Sequence, residues 1–95
     1  MAGYAIVQLK VTDPELNERY RSQVQAIIEQ YGGRFLVRGG KVDELEGSLS
    51  LPRLVVMEFP STEQAHAFYN SPAYQEILPL RLKSAEGIFV IVEGV

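Results

Sequence analysis

The chain has 95 residues, 46% hydrophobic, 22% charged and 9% aromatic, a globular composition at a length that leaves room for one hydrophobic core and excludes a multidomain enzyme. Nine Lys and Arg against twelve Asp and Glu give a formal charge of -3, the wrong sign for a nucleic acid or an anionic membrane as partner. There is no cysteine, so disulfides, thiolate nucleophiles, iron–sulfur clusters and Cys-based zinc sites are excluded.

No apolar run reaches the ~20 residues of a membrane span, and Met1-Ala2-Gly3-Tyr4 lacks the basic opening of a signal peptide; a cytoplasmic protein with one domain over residues 1–95 is the expectation. Tyr4 to Val11 alternates as a strand, with Ala5, Val7, Leu9 and Val11 on one face and Tyr4, Ile6, Gln8 and Lys10 on the other. Thr12-Asp13-Pro14-Glu15 then starts a helix, with Asp13 as cap before Pro14 or Thr12 in a capping box with Glu15. Leu16, Tyr20, Val24, Ile27, Ile28 and Tyr31 form its apolar stripe, Glu15 and Arg19 are spaced to pair on the wet side, and Gly32-Gly33 ends it.

Arg34 to Arg38 reads as a brief edge strand with Phe35 and Val37 on one face and Arg34, Leu36 and Arg38 on the other. Residues 39–52 are too polar for a core and too long for a tight hairpin, which predicts a long connection. Arg53 to Phe59 is the third strand. Ser61 caps a second helix carrying Ala65, Phe68 and Tyr69, and Ser71-Pro72 restarts a short helical segment with Tyr74, Ile77 and Leu78 that Pro79 ends or bends. Gly87 to Glu93 is the last strand.

The order β-α-β-β-α-β predicts an α+β, ferredoxin-like fold: a four-stranded antiparallel sheet, both helices on one face, the first and third strands central. The helices cover Ala5, Val7, Leu9, Phe35, Val37, Val55, Met57 and Phe59. Tyr4, Ile6, Leu36, Leu54 and Val56 are left on the open face, and the last strand adds two large apolar residues to each side. Buried side chains of this kind are worth about 1.5–3 kcal/mol each, enough together to offset the ~4–15 kcal/mol lost on association. The expectation is a homodimer packed sheet against sheet, forming a dimeric α+β barrel.

Gln8, Arg34, Arg38 and Glu58 share the parity of that open face. If Arg38 lies opposite Leu54, the same register sets Arg34 opposite Glu58 as a cross-strand ion pair. Glu58, a carboxylate in an apolar strand, must be paired, protonated or wet, and is the candidate proton-transfer group. His66 falls on a solvent-facing side of its helix, and one histidine anchors no zinc site. Ser61 and Ser71 are better read as caps than as nucleophiles. Four glycines around Arg34–Lys41 lack the spacing of a phosphate loop. Arg34, Arg38, Lys41 and Arg53 could hold an anion, with Asp43, Glu44 and Glu46 near enough in sequence to neutralise them.

Tyr31-Gly32-Gly33-Arg34-Phe35, Arg38-Gly39-Gly40, Glu46-Gly47, the run Arg53 to Ser61, Tyr69-Asn70-Ser71-Pro72-Ala73-Tyr74-Gln75, Arg81 and Val92-Glu93-Gly94-Val95 resemble the Domain of Unknown Function 1330 family. Phe68 stands where that pattern commonly has Trp. The resemblance implies a dimeric α+β barrel whose activity is generally unassigned. Related barrels include cofactor-free monooxygenases, muconolactone-type isomerases and small-ligand binders. On this basis Arg38, Glu58, Tyr69, Asn70, Ser71, Tyr74 and Arg81 are the site residues to locate. The expected function is the binding of a small anionic or aromatic metabolite, with no cofactor and no metal. Two forms are open: a cofactor-free isomerase or monooxygenase-like enzyme with Glu58 moving the proton and Arg38 or Arg81 holding the anion, or a noncatalytic metabolite-binding or assembly module.

Overall fold

A computed structural model describes residues 1–95. The elements in chain order are β1 (Gly3–Val11), α1 (Pro14–Gln30), β2 (Arg34–Arg38), β3 (Arg53–Phe59), α2 (Thr62–Asn70), α3 (Pro72–Ser84) and β4 (Ala85–Glu93). The sheet is antiparallel in the order β2-β3-β1-β4, so β1 and β3 are central and the ferredoxin-like expectation holds. No helix is long and apolar enough to cross a membrane.

Local chemistry sets the boundaries. The Asp13 carboxylate accepts from the Leu16 amide at 3.2 Å with Pro14 at the first helical position, so Asp13 rather than Thr12 caps α1. Gly32 leaves the helix at φ +76°, in the left-handed region that a glycine adopts at little cost. Ser61 and Ser71 cap α2 and α3 through their hydroxyls.

Helix α3 is longer than predicted: it runs through Pro79 to Ser84. Proline lacks the amide that would bond the Gln75 carbonyl, but Pro79 lies on the exposed side, where water can take that carbonyl. The buried face, Tyr74, Ile77, Leu78, Arg81 and Ser84, continues unbroken past it. On α1 the predicted Glu15–Arg19 pair is replaced by Glu18 and Arg21, 3.4 Å apart.

All three helices pack on one face of the sheet. Ala5, Val7, Leu9, Val55, Met57 and Phe59 from the strands meet Tyr20, Val24, Ile27 and Ile28 of α1, Ala65 and Phe68 of α2, and Tyr74, Ile77 and Leu78 of α3. Aromatic rings hold its centre, with Phe68 4.5 Å from Tyr74 and 5.3 Å from Phe59 between ring centroids, spacings at which ring pairs add to simple burial.

The open face carries cross-strand rows Val56–Ile6–Val90, Leu54–Gln8–Ile88 and Glu58–Tyr4–Val92. Strand β4 contributes three large apolar side chains here rather than two, and Ile88, Val90 and Val92 are each close to half exposed. Val37 also belongs to this face and not to the helix side. The ladder runs Arg34–Glu58 and Phe35–Met57, then slips at Leu36 so that Val37 faces Val56 and Arg38 faces Val55. A residue inserted in one strand reverses the facing of those that follow. Arg38 is thereby moved from the open face, where unbroken alternation puts it, to the helix side.

Candidate functional site

Between the sheet and helix α1 lies an open cavity of about 40 Å³, room for roughly three waters. Val7 and Leu9 of β1, Val55 of β3 and Val24 of α1 make its apolar walls, and Arg21, Arg38, Arg53 and Arg81 supply four guanidiniums. No carboxylate lines it.

Arg81 is the unusual member. It sits on the buried face of α3 at 4% exposure, with no carboxylate within ion-pair distance and its Nε–H without a hydrogen-bond acceptor. Its guanidinium lies 5.5 Å from the centroid of the Phe89 ring. A buried cation ordinarily requires an anionic partner, because desolvation is compensated only by pairing.

At the other end, Arg38 donates to the Gln25 side chain at 3.2 Å and to the Arg21 carbonyl at 3.3 Å, and stacks 4.3 Å above the Phe35 ring. These neutral acceptors orient the guanidinium and leave its charge uncompensated. The Arg53 guanidinium lies beside Gly39, filling the space where a side chain would begin. Partial burial, then the charges of Arg21 and Arg38, push the Arg53 pKa below the usual arginine value. Arg21 alone has an acidic neighbour, Glu18, on the solvent side. Asp43, Glu44 and Glu46 do not neutralise Arg38 or Arg53: Asp43 lies 3.8 Å from Lys41 and Glu44 accepts from the Leu49 amide.

Polar groups surround Arg81. The Tyr20 and Tyr74 hydroxyls are 2.9 Å apart in the core. Burial is the main cause that raises the pKa of both, and in Tyr74 the Arg81 charge pulls partly the other way. Asn17 donates to the Ser84 hydroxyl at 3.1 Å, and that hydroxyl donates to the Arg81 carbonyl.

Of the residues expected to form a site, Arg38, Tyr74 and Arg81 thus gather on the helix side of the sheet. Tyr69 packs against Tyr74 and Phe89 and with Asn70 and His66 lines a separate shallow groove. Ser71 is buried, with its hydroxyl engaged in donating to the Phe68 carbonyl and accepting from the Tyr74 amide. Glu58 stands on the opposite, open face. Its carboxylate accepts from Arg34 Nε at 3.0 Å and from the Tyr4 hydroxyl at 3.2 Å, so the expected ion pair with Arg34 is present and Glu58 is separated from the arginine cavity by the sheet. Asn17, Tyr20 and Arg21 were not expected there. Asn17 had a signal: it lies at helical spacing from Tyr20, Val24 and Ile28, a polar residue at the head of an apolar stripe.

A model of the family described as "Domain of unknown function (DUF1330)" matches residues 2–95. No curated protein matches the chain. Among solved structures, a protein of unknown function from Rhodopseudomonas palustris superposes with a TM-score of 0.78 at 15% identity, over 99% of this chain and 82% of that one. A dimeric ferredoxin-like protein of unknown function from Jannaschia sp. CCS1 gives 0.66 at 15%, over 99% and 100%. SnoaB, a cofactor-independent oxygenase from Streptomyces nogalater, gives 0.62 at 9%, over 99% and 93%. At such identities the likeness establishes the ferredoxin-like fold.

Proposed function

The chain belongs to the DUF1330 family, and from that premise we propose that it works as a homodimer closed through its open sheet face, each subunit binding a small anionic molecule in its arginine-lined cavity. Arg81 carries the reading: a guanidinium 4% exposed, with no carboxylate at ion-pair distance and its Nε–H without an acceptor, is compensated by a ligand that brings the negative charge. The half-exposed row of Ile88, Val90 and Val92 supports the dimer, as a contiguous apolar patch of this kind marks an association surface. A structural relative being described as dimeric points the same way. A thermal-shift series with small carboxylates, lactones and phenols tests it. Ligand at ~100 times its dissociation constant stabilises by about 2.7 kcal/mol, and the midpoint of a domain this size moves by roughly 4–8 °C per kcal/mol. Stabilisation by the carboxylates that disappears in Arg81→Gln supports the reading; no shift with any anion contradicts it.

One observation favours turnover without a cofactor. The Tyr20–Tyr74 pair, kept protonated by burial, stands beside a buried cation, an arrangement that stabilises an oxyanion developing on a bound molecule. Faster exchange of a ligand C–H in deuterated water, with solvent taking the proton while Tyr20 and Arg81 stabilise the oxyanion left behind, supports this activity if it is lost in Tyr20→Phe with binding retained; binding without exchange leaves the protein a metabolite-binding module.

A further inference from the structure

Resting on the anion-binding reading, we propose that the ligand is a very short carboxylate, formate or acetate, taken whole into the cavity with its oxygens on Arg81.

Size decides first. A void of about 40 Å³ takes the place of roughly three waters, whose share of liquid volume is ~30 Å³ each, and so accepts a planar anion of about three or four non-hydrogen atoms. The walls do not yield. Val7, Leu9, Val24, Ile28, Val55 and Met57 line the void and all belong to the buried core. Side chains packed on every side give way only through overpacking strain, which leaves a longer hydrocarbon chain no room among them.

The four guanidiniums differ in depth. Arg81 is buried, whereas Arg21 is exposed and Arg38 and Arg53 are half-exposed. The outer three keep contact with water, while the Arg81 Nε–H has no acceptor, and a dry donor left unsatisfied costs more than a hydrated one. Polar groups collect at the same end: Asn17, buried and lining the void, donates to the Ser84 hydroxyl, which donates to the Arg81 carbonyl. The planar guanidinium matches the two oxygens of a carboxylate, so the acid group seats at Arg81. An acid seated at the outer arginines would instead point its hydrocarbon at the apolar walls, and each added methylene would tighten binding about fourfold. The two seatings give opposite trends with chain length.

Titration calorimetry of the whole protein at constant ionic strength, with formate, acetate, propionate, butyrate and inorganic phosphate, tests the inference. Acetate is expected to bind about tenfold or more tighter than butyrate, a difference within the range of overpacking strain. Val24→Ala takes methyl groups from the wall, and there butyrate should gain about tenfold on acetate. Arg81→Gln abolishes acetate binding, and Arg34→Gln, on the other face, leaves it unchanged. The chain-length series on the unaltered protein carries the test alone should either core variant fail to fold. Affinity that rises or stays level from acetate to butyrate overturns the short acid while the anion site stands. Tightest binding by phosphate, an unchanged preference in folded Val24→Ala, or acetate binding that survives Arg81→Gln likewise overturns it. If none of these anions binds, both readings fall.

Discussion

The hydroxyls of Tyr20 and Tyr74 meet at 2.9 Å, joining the middle of α1 to the first turn of α3, with the Arg81 charge acting on both. Burial raises the pKa of both. A folded-state pKa above the unfolded value of ~10 means that the native state holds its protons more tightly, so this contribution is whole below pH ~10 and is lost as pH rises further. Stability should therefore fall above pH ~10, with a limiting slope of about 1.4 kcal/mol per pH unit for each tyrosine. Absorbance titration should show two of the five tyrosines ionising only with unfolding. Five tyrosines titrating together in the native protein contradict this pairing.

Tyr20→Phe or Tyr74→Phe alone strands a buried hydroxyl, at a cost of about 1–3 kcal/mol, whereas the double substitution should cost less than the two single values added. Denaturant melts of the three variants decide this. Strict additivity means that the hydroxyls do not interact.

Glu58→Gln removes the carboxylate that Arg34 and Tyr4 share on the open face. Because the sheet separates it from the arginine cavity, anion affinity should stay unchanged, while stability falls by about 1 kcal/mol or less, as for a partly exposed ion pair. Titration calorimetry and urea melts measure the two effects separately. Loss of ligand binding with unchanged stability would return Glu58 to the ligand site.

Val90 sits opposite Ile6 in the central row of the open face, so Val90→Glu places a charge where the two sheets are proposed to meet. Light scattering should give about twice the 10.6 kDa chain mass for the unaltered protein and a single chain for the variant, with circular dichroism unchanged. A monomer before the substitution removes the dimer from the account.

Gly39 has φ +73° and leaves the space that the Arg53 guanidinium fills. Gly39→Ala should destabilise by about 1 kcal/mol through the backbone. It should also weaken anion binding by displacing Arg53. A melt shift without an affinity change separates Gly39 from the site.

Most of this fold was legible in the sequence because the informative patterns are local. The alternation of Ala5–Val7–Leu9 and Val55–Met57–Phe59 fixes which face the helices cover, and Asp13-Pro14, Ser61 and Ser71-Pro72 mark helix starts chemically. The slip at Leu36 was not legible: Leu36 and Val37 are both apolar, so either parity satisfies the pattern. The choice is made by the acceptors that α1 offers Arg38, the Gln25 side chain and the Arg21 carbonyl, which no spacing within β2 encodes. Arg81 was partly legible. It continues the Tyr74–Ile77–Leu78 stripe, a sign hidden while Pro79 is read as a helix end. The clustering of Arg38, Arg53 and Arg81 joins three elements distant in sequence and emerges only once register and helix length are both settled.

The central claim is that the Arg81 guanidinium, buried with no carboxylate beside it, is the anchor for an anionic ligand, and the Arg81 Nε–H resonance in a nitrogen–proton correlation spectrum reports on it directly. Buried and without a protein acceptor, this group should shift in a saturable way as a small carboxylate such as acetate is added, while the Arg34 Nε–H, bonded to Glu58 across the sheet, stays in place. An Arg81 signal that remains unmoved through the titration, or that moves no more than that of Arg34, contradicts the account.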